Sequence, residues 1–250
     1  MNDATPAVRD TGAQRESVSS AVPPAPEADE RMRRVLESAA RLQQVVSGAV
    51  MVGGSAASLY SHHRVSFDHD HVLADLAARY DTILEAVEAT DGWVLSSRHS
   101  QRPNTIMGSL DGVEAGLRQL RRARPLEVEV MTLDNGAELH VPTYEEAVRI
   151  KGWMLLQRRS VRDYLDVAAL ADVTSPHYAA QVLNDLDSYY EASGSDSAAT
   201  SLALALASPQ PRDTRTLEEL AHYKGLAPQW QDWSEVTAVC RAIAEEMAQC

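Results

Sequence analysis

A four-residue apolar run, Ala49-Val50-Met51-Val52, stops at Gly53-Gly54-Ser55, and a short way on the chain reads Asp68-His69-Asp70. Four apolar residues closed by two glycines suit a buried strand that ends in a tight turn. Ser55 is a helix N-cap residue type, which predicts a short helix to about Tyr60. In a strand-turn-helix of this kind, backbone N–H groups and the helix N-terminus can face an anion such as a triphosphate. The next segment, Val65 to Leu73, reads as extended, so Asp68 and Asp70 point to one face at a period of two. Two carboxylates on one face can share a pair of Mg²⁺ ions. A phosphate cradle beside them predicts metal-assisted nucleotidyl transfer.

Residues 1–28 hold Pro6, Pro23, Pro24 and Pro26 among Ala, Ser, Thr and acids, and read as a disordered arm. The spacing of Met32, Val35, Leu36, Leu42, Val45 and Val46 predicts a helix from about Glu30 to residue 47. A second helical pattern covers residues 74–89, built on Leu76, Tyr80, Ile83, Leu84 and Val87. Residues 93–95, 105–107, 113–117 and 126–133 are short β-prone runs, set apart by Asp91-Gly92, Asp111-Gly112 and Asp134-Asn135-Gly136 turns. After Pro142, Thr143-Tyr144-Glu145-Glu146 is a capping box that predicts a helix over about 144–157. Ser160-Val161-Arg162-Asp163 repeats that logic, Ser175-Pro176 opens a third helix, and the remainder reads as helical apart from a linker near 208–212. The expected class is α+β, with an α/β domain over residues 29–142 and an all-helical domain over 143–250.

A net charge of −13 excludes a surface that is basic throughout, so any nucleic-acid contact must be local. Its densest basic run is Arg118, Arg121, Arg122 and Arg124, which with Arg158, Arg159 and Arg162 offers one side of a cleft to an RNA backbone. Of 23 basic residues only Lys151 and Lys224 are lysine. The two cysteines, Cys240 and Cys250, have neither disulfide-framework nor zinc spacing and are expected as thiols. No run approaches the roughly 18 apolar residues of a membrane span. The expected location is the cytoplasm, with no membrane partner.

Gly53-Gly54-Ser55, Leu59 and Arg64-x-Ser66-x-Asp68-x-Asp70 together resemble the nucleotidyltransferase fold of the DNA polymerase beta superfamily, and the AbiEii-type toxin family in particular. A second segment, with Lys151, then Arg158, then Arg162-Asp163-Tyr164-Leu165-Asp166, is similar to that family's downstream motif. The resemblance covers roughly residues 30–172. It implies a nucleotidyltransferase-like mixed sheet with helices, followed by an all-helical C-terminal half. It also implies Mg²⁺ as cofactor, an NTP as substrate, and a toxin of a type IV toxin–antitoxin pair with a cognate antitoxin and tRNA 3′ ends as acceptor.

Under that resemblance Asp68, Asp70 and a third carboxylate from a neighbouring strand hold the metal. In Leu126-Glu127-Val128-Glu129-Val130 the apolar residues take one face and both glutamates the other. Glu129 is favoured by its place in the matching segment, with Glu127 the alternative. Gly53, Gly54 and Ser55 cradle the phosphates, and Arg64 and Ser66 brace the turn or reach a phosphate. Lys151 is read as a triphosphate contact, where its ammonium offsets charge on the leaving group; a surface lysine is the bland alternative. Asp163 and Asp166 fall on one helical face and support the site, and Arg162 can pair with Asp166. His69 and His71 depart from the family, which has apolar residues there. With His62 and His63 they place four of eight histidines close together, so a transition-metal site is weighed. Alternation sends His69 and His71 to the face opposite the aspartates.

Three rivals are separable. A small-molecule nucleotidyltransferase, acting for example on an aminoglycoside, needs no basic docking face. A catalytically silent binding protein has no chemical reason to retain both the Gly-Gly-Ser turn and the two aspartates. A phosphohydrolase using His63, His69 and Asp70 needs ligands from separate helices, and these lie on one short stretch.

Overall fold

The computed structural model describes residues 26–122, 124–190, 197–223 and 225–249. Of the arm expected over residues 1–28, residues 1–25 lie outside the described residues, as do Lys224 and Cys250, while residues 26–28 are corrected to the first turn of a helix. The α/β half runs α1 (Pro26–Val45), β1 (Val50–Val52), α2 (Gly53–Ser61), β2 (Asp68–Leu73), α3 (Tyr80–Glu88), β3 (Trp93–Leu95), β4 (Thr105–Leu110) and β5 (Val113–Gln119). These strands form a mixed sheet in the order β1-β2-β5-β4-β3. β1 is antiparallel to β2, β5 is parallel to β2, and β4 is antiparallel to both β5 and β3. Between β4 and β5, Asp111 and Gly112 take φ values of +52° and +78°, as a two-residue hairpin turn requires.

One sheet face is dry. Leu73, Ile106, Leu110, Ala115 and Leu117 meet Leu42 and Val46 of α1 and Ile83 and Val87 of α3. The pattern expected to be one helix over 74–89 is shorter: residues 75–79 form turns, and Leu76 is buried from a turn. The extended segment expected from Val65 pairs only from Asp68, because residues 62–67 form a loop.

β6 (Val128–Thr132) and β7 (Glu138–Pro142) make a separate two-stranded sheet. Leu139 and Val141 of β7 join Met51, Ala56 and Ala39 in a small core, while Val128 and Val130 are exposed. β6 is the outer strand of a hairpin whose apolar anchor is β7, so its alternation carries no buried face.

The helical half contains α4 (Tyr144–Arg158), α5 (Val161–Val173), α6 (Pro176–Asn184), α7 (Ala198–Ala207), α8 (Thr214–Glu218) and α9 (Trp233–Met247). Thr143, Ser160 and Ser175 cap α4, α5 and α6 by accepting the backbone N–H three residues on, as the sequence predicts. α5 is buried nearly all round, its apolar residues joining the helical core and its two buried aspartates, Asp163 and Asp166, each needing a partner. α2 contributes Ala57 to this same core, so the two halves share packing.

Candidate active site

Val52 ends β1 in extended backbone and Gly53 follows at φ +81°, a conformation side-chain-bearing residues rarely adopt. A Cβ on Gly54 would lie 2.3 Å from Nη2 of Arg64 and would push that group off its bond to Asp166. α2 begins at this turn with no side-chain cap, leaving its first N–H groups for an external acceptor. Ser55 does not cap it; its buried hydroxyl donates to the Asp68 carbonyl and ties the turn to β2.

Asp68 and Asp70 are half-buried on one face of β2, while His69, His71 and Leu73 are buried on the other. The parallel register with β5 sets Asp68 opposite Glu114, Asp70 opposite Gly116 and Val72 opposite Arg118. Residues directly opposite in a sheet share a face, so exposed Glu114 stands beside Asp68. Ser66 Oγ donates to Asp68 Oδ1 at 3.0 Å, and Arg118 Nε donates to Asp70 Oδ1 at 3.3 Å. Gly53 lies on the other flank of Asp70, with its missing Cβ 3.7 Å from the carboxylate.

Beneath the turn sits a buried charge cluster. Asp166 accepts from Arg64 Nε at 2.9 Å, from Lys151 Nζ at 2.6 Å and from His63 Nε2 at 2.7 Å, and its side chain has no exposed surface. Burial opposes its ionisation, yet Arg64 and Lys151 hold the carboxyl well below its usual range. Burial, aided by Arg64, pushes Lys151 down against the pull of Asp166. Burial also keeps His63 neutral, with its Nδ1 2.6 Å from Ser61 Oγ. One carboxylate thus serves two cations. Lys151 also borders a small void with Val52, Gly53, Ala56 and Ala57, directly under the turn.

The other expected residues are distributed differently. Arg162 was expected to pair with Asp166, which is instead taken by Arg64, Lys151 and His63. Asp163, fully buried, accepts from Arg158 at 3.1 Å and from its own cap residue Ser160. Arg122 leaves the expected basic run. Its side chain is buried against Glu146 at 2.6 Å, because Glu146, itself fully buried, needs a counter-ion. Arg149 and Arg124 pair with Glu127 and lie over the Tyr189 ring, so Glu127 belongs to a structural network. Arg121 and Arg159 remain exposed. Glu129 lies on β6, outside the main sheet, and accepts from the Tyr60 hydroxyl, whose pKa burial and that contact raise. His62 is exposed and His69 contacts Ser38 at 3.0 Å on the dry side.

Glu114 and Gly116 were not singled out by the sequence, and His63, weighed there only as a metal ligand, is instead a partner of Asp166. Glu114 has the right parity within 113–117, but only the parallel pairing of β5 with β2 sets it beside Asp68. Among the described residues no three histidine, cysteine or carboxylate side chains form a preassembled metal centre. Asp68, Asp70 and Glu114 offer carboxylate oxygens on one sheet face, which fits a hard cation such as Mg²⁺ that keeps waters and takes further ligands from substrate phosphates.

The architecture is that of a nucleotidyltransferase-like α+β protein. The nucleotidyltransferase toxin MenT4 of Mycobacterium tuberculosis aligns over 90% of this chain and 84% of its own, with a TM-score of 0.56 and 19% identity. JHP933 from Helicobacter pylori aligns over 91% and 94%, with a TM-score of 0.53 and 14% identity. No family model matches. In sequence, the heme uptake protein MmpL11 of Mycobacterium tuberculosis is 37% identical over 129 residues. The mycolic acid-containing lipids exporter MmpL11 of Mycolicibacterium smegmatis is 32% identical over 132. Each match takes 51% of this chain but 13% of the relative's length. Among the described residues no helix is long and apolar enough to cross a membrane.

Proposed function

We propose that the chain is a Mg²⁺-dependent nucleotidyltransferase that moves an NMP group from an NTP to an acceptor hydroxyl. The observation that carries this reading is the pair of buried cations, Arg64 and Lys151, sharing one carboxylate directly under Gly53-Gly54. Their surplus positive charge, in a protein of net charge −13, has its natural counter-ion in a triphosphate resting on that turn.

In this reading the N–H groups at the start of α2 bind the phosphates, and Lys151 steadies charge as it gathers on pyrophosphate. Asp68 and Asp70 hold Mg²⁺, which when bound neutralises phosphate charge and favours ionisation of the acceptor hydroxyl. The acceptor oxygen bonds to the α-phosphorus as the bond to the β-phosphate oxygen breaks in line, and pyrophosphate leaves. Glu114, beside Asp68, is assigned the third carboxylate in preference to Glu129, which Tyr60 engages from a separate hairpin. Glu114 also receives the acceptor proton. Arg64 braces Asp166 from below the turn, and Asp163 fixes the start of α5.

The acceptor is proposed to be tRNA, and the setting a cytoplasmic toxin with a cognate antitoxin. The two sequence segments that resemble AbiEii-type toxins support this, as does the likeness in fold to MenT4. Burial of Arg122 and engagement of Arg124 by Glu127 and Tyr189 narrow the basic docking face to Arg118, Arg121, Arg158 and Arg159, which favours a second reading: transfer to a small hydroxylated molecule. The likeness to MmpL11 is confined to 13% of those proteins, and transport is not carried over from it.

The test is incubation with Mg²⁺, bulk tRNA and each α-labelled NTP in turn. Label entering RNA from one NTP, lost in Asp70→Asn and Glu114→Gln but retained in Glu129→Gln, is the expected result. Label in an aminoglycoside but not in RNA selects the second reading. Full activity in Asp70→Asn refutes the metal assignment.

A further inference from the structure

Arg118 has no role so far beyond a place in the basic run. It stands on the catalytic face, two residues beyond Gly116, and its Nε donates to Oδ1 of Asp70 at 3.3 Å. Gly116 makes that approach possible. Its φ is not in the left-handed region, so the backbone does not demand glycine; space does. A Cβ at 116 would lie 2.5 Å from Asp70 Oδ1 and 2.9 Å from Met107 Sδ. The β5 side of Asp70 is therefore kept open, and the group that fills it is a guanidinium.

The contact is loose. Arg118 has a side chain 48% exposed and, among the described residues, a single side-chain hydrogen bond, from Nε to Asp70, which leaves the other donors of its fork available. Arg122 and Arg149 are buried and held by carboxylates. A half-exposed arginine on a single bond can leave at little cost. The oxygen it holds is one that a divalent cation on Asp70 would need.

We propose that Arg118 is a stand-in cation: it neutralises Asp70 when no metal is bound, competes with the divalent ion for Oδ1, and on metal binding is freed toward the anionic substrate. This rests on reading Asp68 and Asp70 as the metal ligands. Arg118 is a positioning residue in this scheme, acting through Asp70. Removing its charge should tighten metal binding in the nucleotide-free protein, opposite to the effect of losing a structural contact.

The experiment titrates Mn²⁺ alone, by electron paramagnetic resonance of the free ion, into the wild-type chain, Arg118→Gln, Arg118→Lys and Asp70→Asn. Arg118→Gln is expected to bind Mn²⁺ about fivefold more tightly than wild type, the size of a released exposed ion pair. Arg118→Lys, which keeps the charge, should stay within about twofold of wild type. Equal affinity in wild type and Arg118→Gln overturns the inference, as does Arg118→Lys behaving like Arg118→Gln. If neither wild type nor Arg118→Gln shows binding that Asp70→Asn abolishes, the metal reading itself fails and takes the inference with it. Far-ultraviolet circular dichroism of each variant checks that the sheet is intact.

Discussion

Acidification should unfold this protein through histidines that the sheet has sealed away, and His69 gives the sharpest measure of it. The His69 side chain lies on the dry face of β2, 1% exposed, with Nε2 3.0 Å from Ser38 Oγ and Nδ1 buried without a hydrogen-bond partner among the described residues. A second proton must therefore enter at Nδ1, buried in a ring that lies edge-on to His71. Burial lowers the pKa from 6.5 to about 4, against a weak pull from Asp68. The folded value is below the unfolded one. The contribution is thus complete above pH 6.5 and is lost as pH falls from 6.5 toward 4. A shift of about 2.5 units at about 1.4 kcal/mol each gives about 3.5 kcal/mol from this one ring. His71 and His63 are shifted the same way by burial, so the wild-type slope of stability against pH should approach several protons in that window. Urea unfolding followed by circular dichroism at half-unit steps between pH 7 and pH 4.5 measures it. In His69→Gln, which keeps a polar group near Ser38 without a titrating ring, the slope should fall by about one proton, about 1.4 kcal/mol per pH unit. An unchanged slope in that variant refutes the reasoning, because it means His69 is as easily protonated folded as unfolded.

Two further outcomes follow from the site. Asp166→Asn strips the shared carboxylate from buried Arg64 and Lys151 and should cost about 3–5 kcal/mol in urea unfolding at pH 7, whereas Asp163→Asn leaves that pair intact and should cost less. Gly116→Ala forces the Asp70 carboxylate to move from a Cβ at 2.5 Å, so calorimetry should show at least about tenfold weaker Mn²⁺ binding, while the melting temperature stays within a few degrees.

Within Ala49–Asp70 the short strand, the glycine turn and the shared face of Asp68 and Asp70 were legible from local rules, whereas the capping role expected of Ser55 and the strand expected from Val65 were not borne out. A four-residue apolar run closed by two glycines suits a strand and a turn, and alternate residues of a strand share a face. The same rules predicted the caps of α4, α5 and α6 from Thr143, Ser160 and Ser175. They also separated His69 and His71 from the aspartates. What local rules do not contain is which strand lies beside which. Glu129 and Glu114 are both acids on short alternating strands, and only the parallel pairing of β5 with β2 sets Glu114 next to Asp68. Nor do they contain which charges will be desolvated. Arg122 and Arg121 are neighbours in a basic run, yet buried Glu146 draws Arg122 inside while Arg121 stays in water. Arg162 is four residues from Asp166 on the same helix, but Arg64 and Lys151 arrive from a loop and from α4 and take the carboxylate first. The sequence by itself determined the local turns, the faces and the caps, because hydrogen bonding and side-chain period act within a few residues. Tertiary structure alone decided the partners of each charge, because that depends on how elements distant in sequence exclude water together.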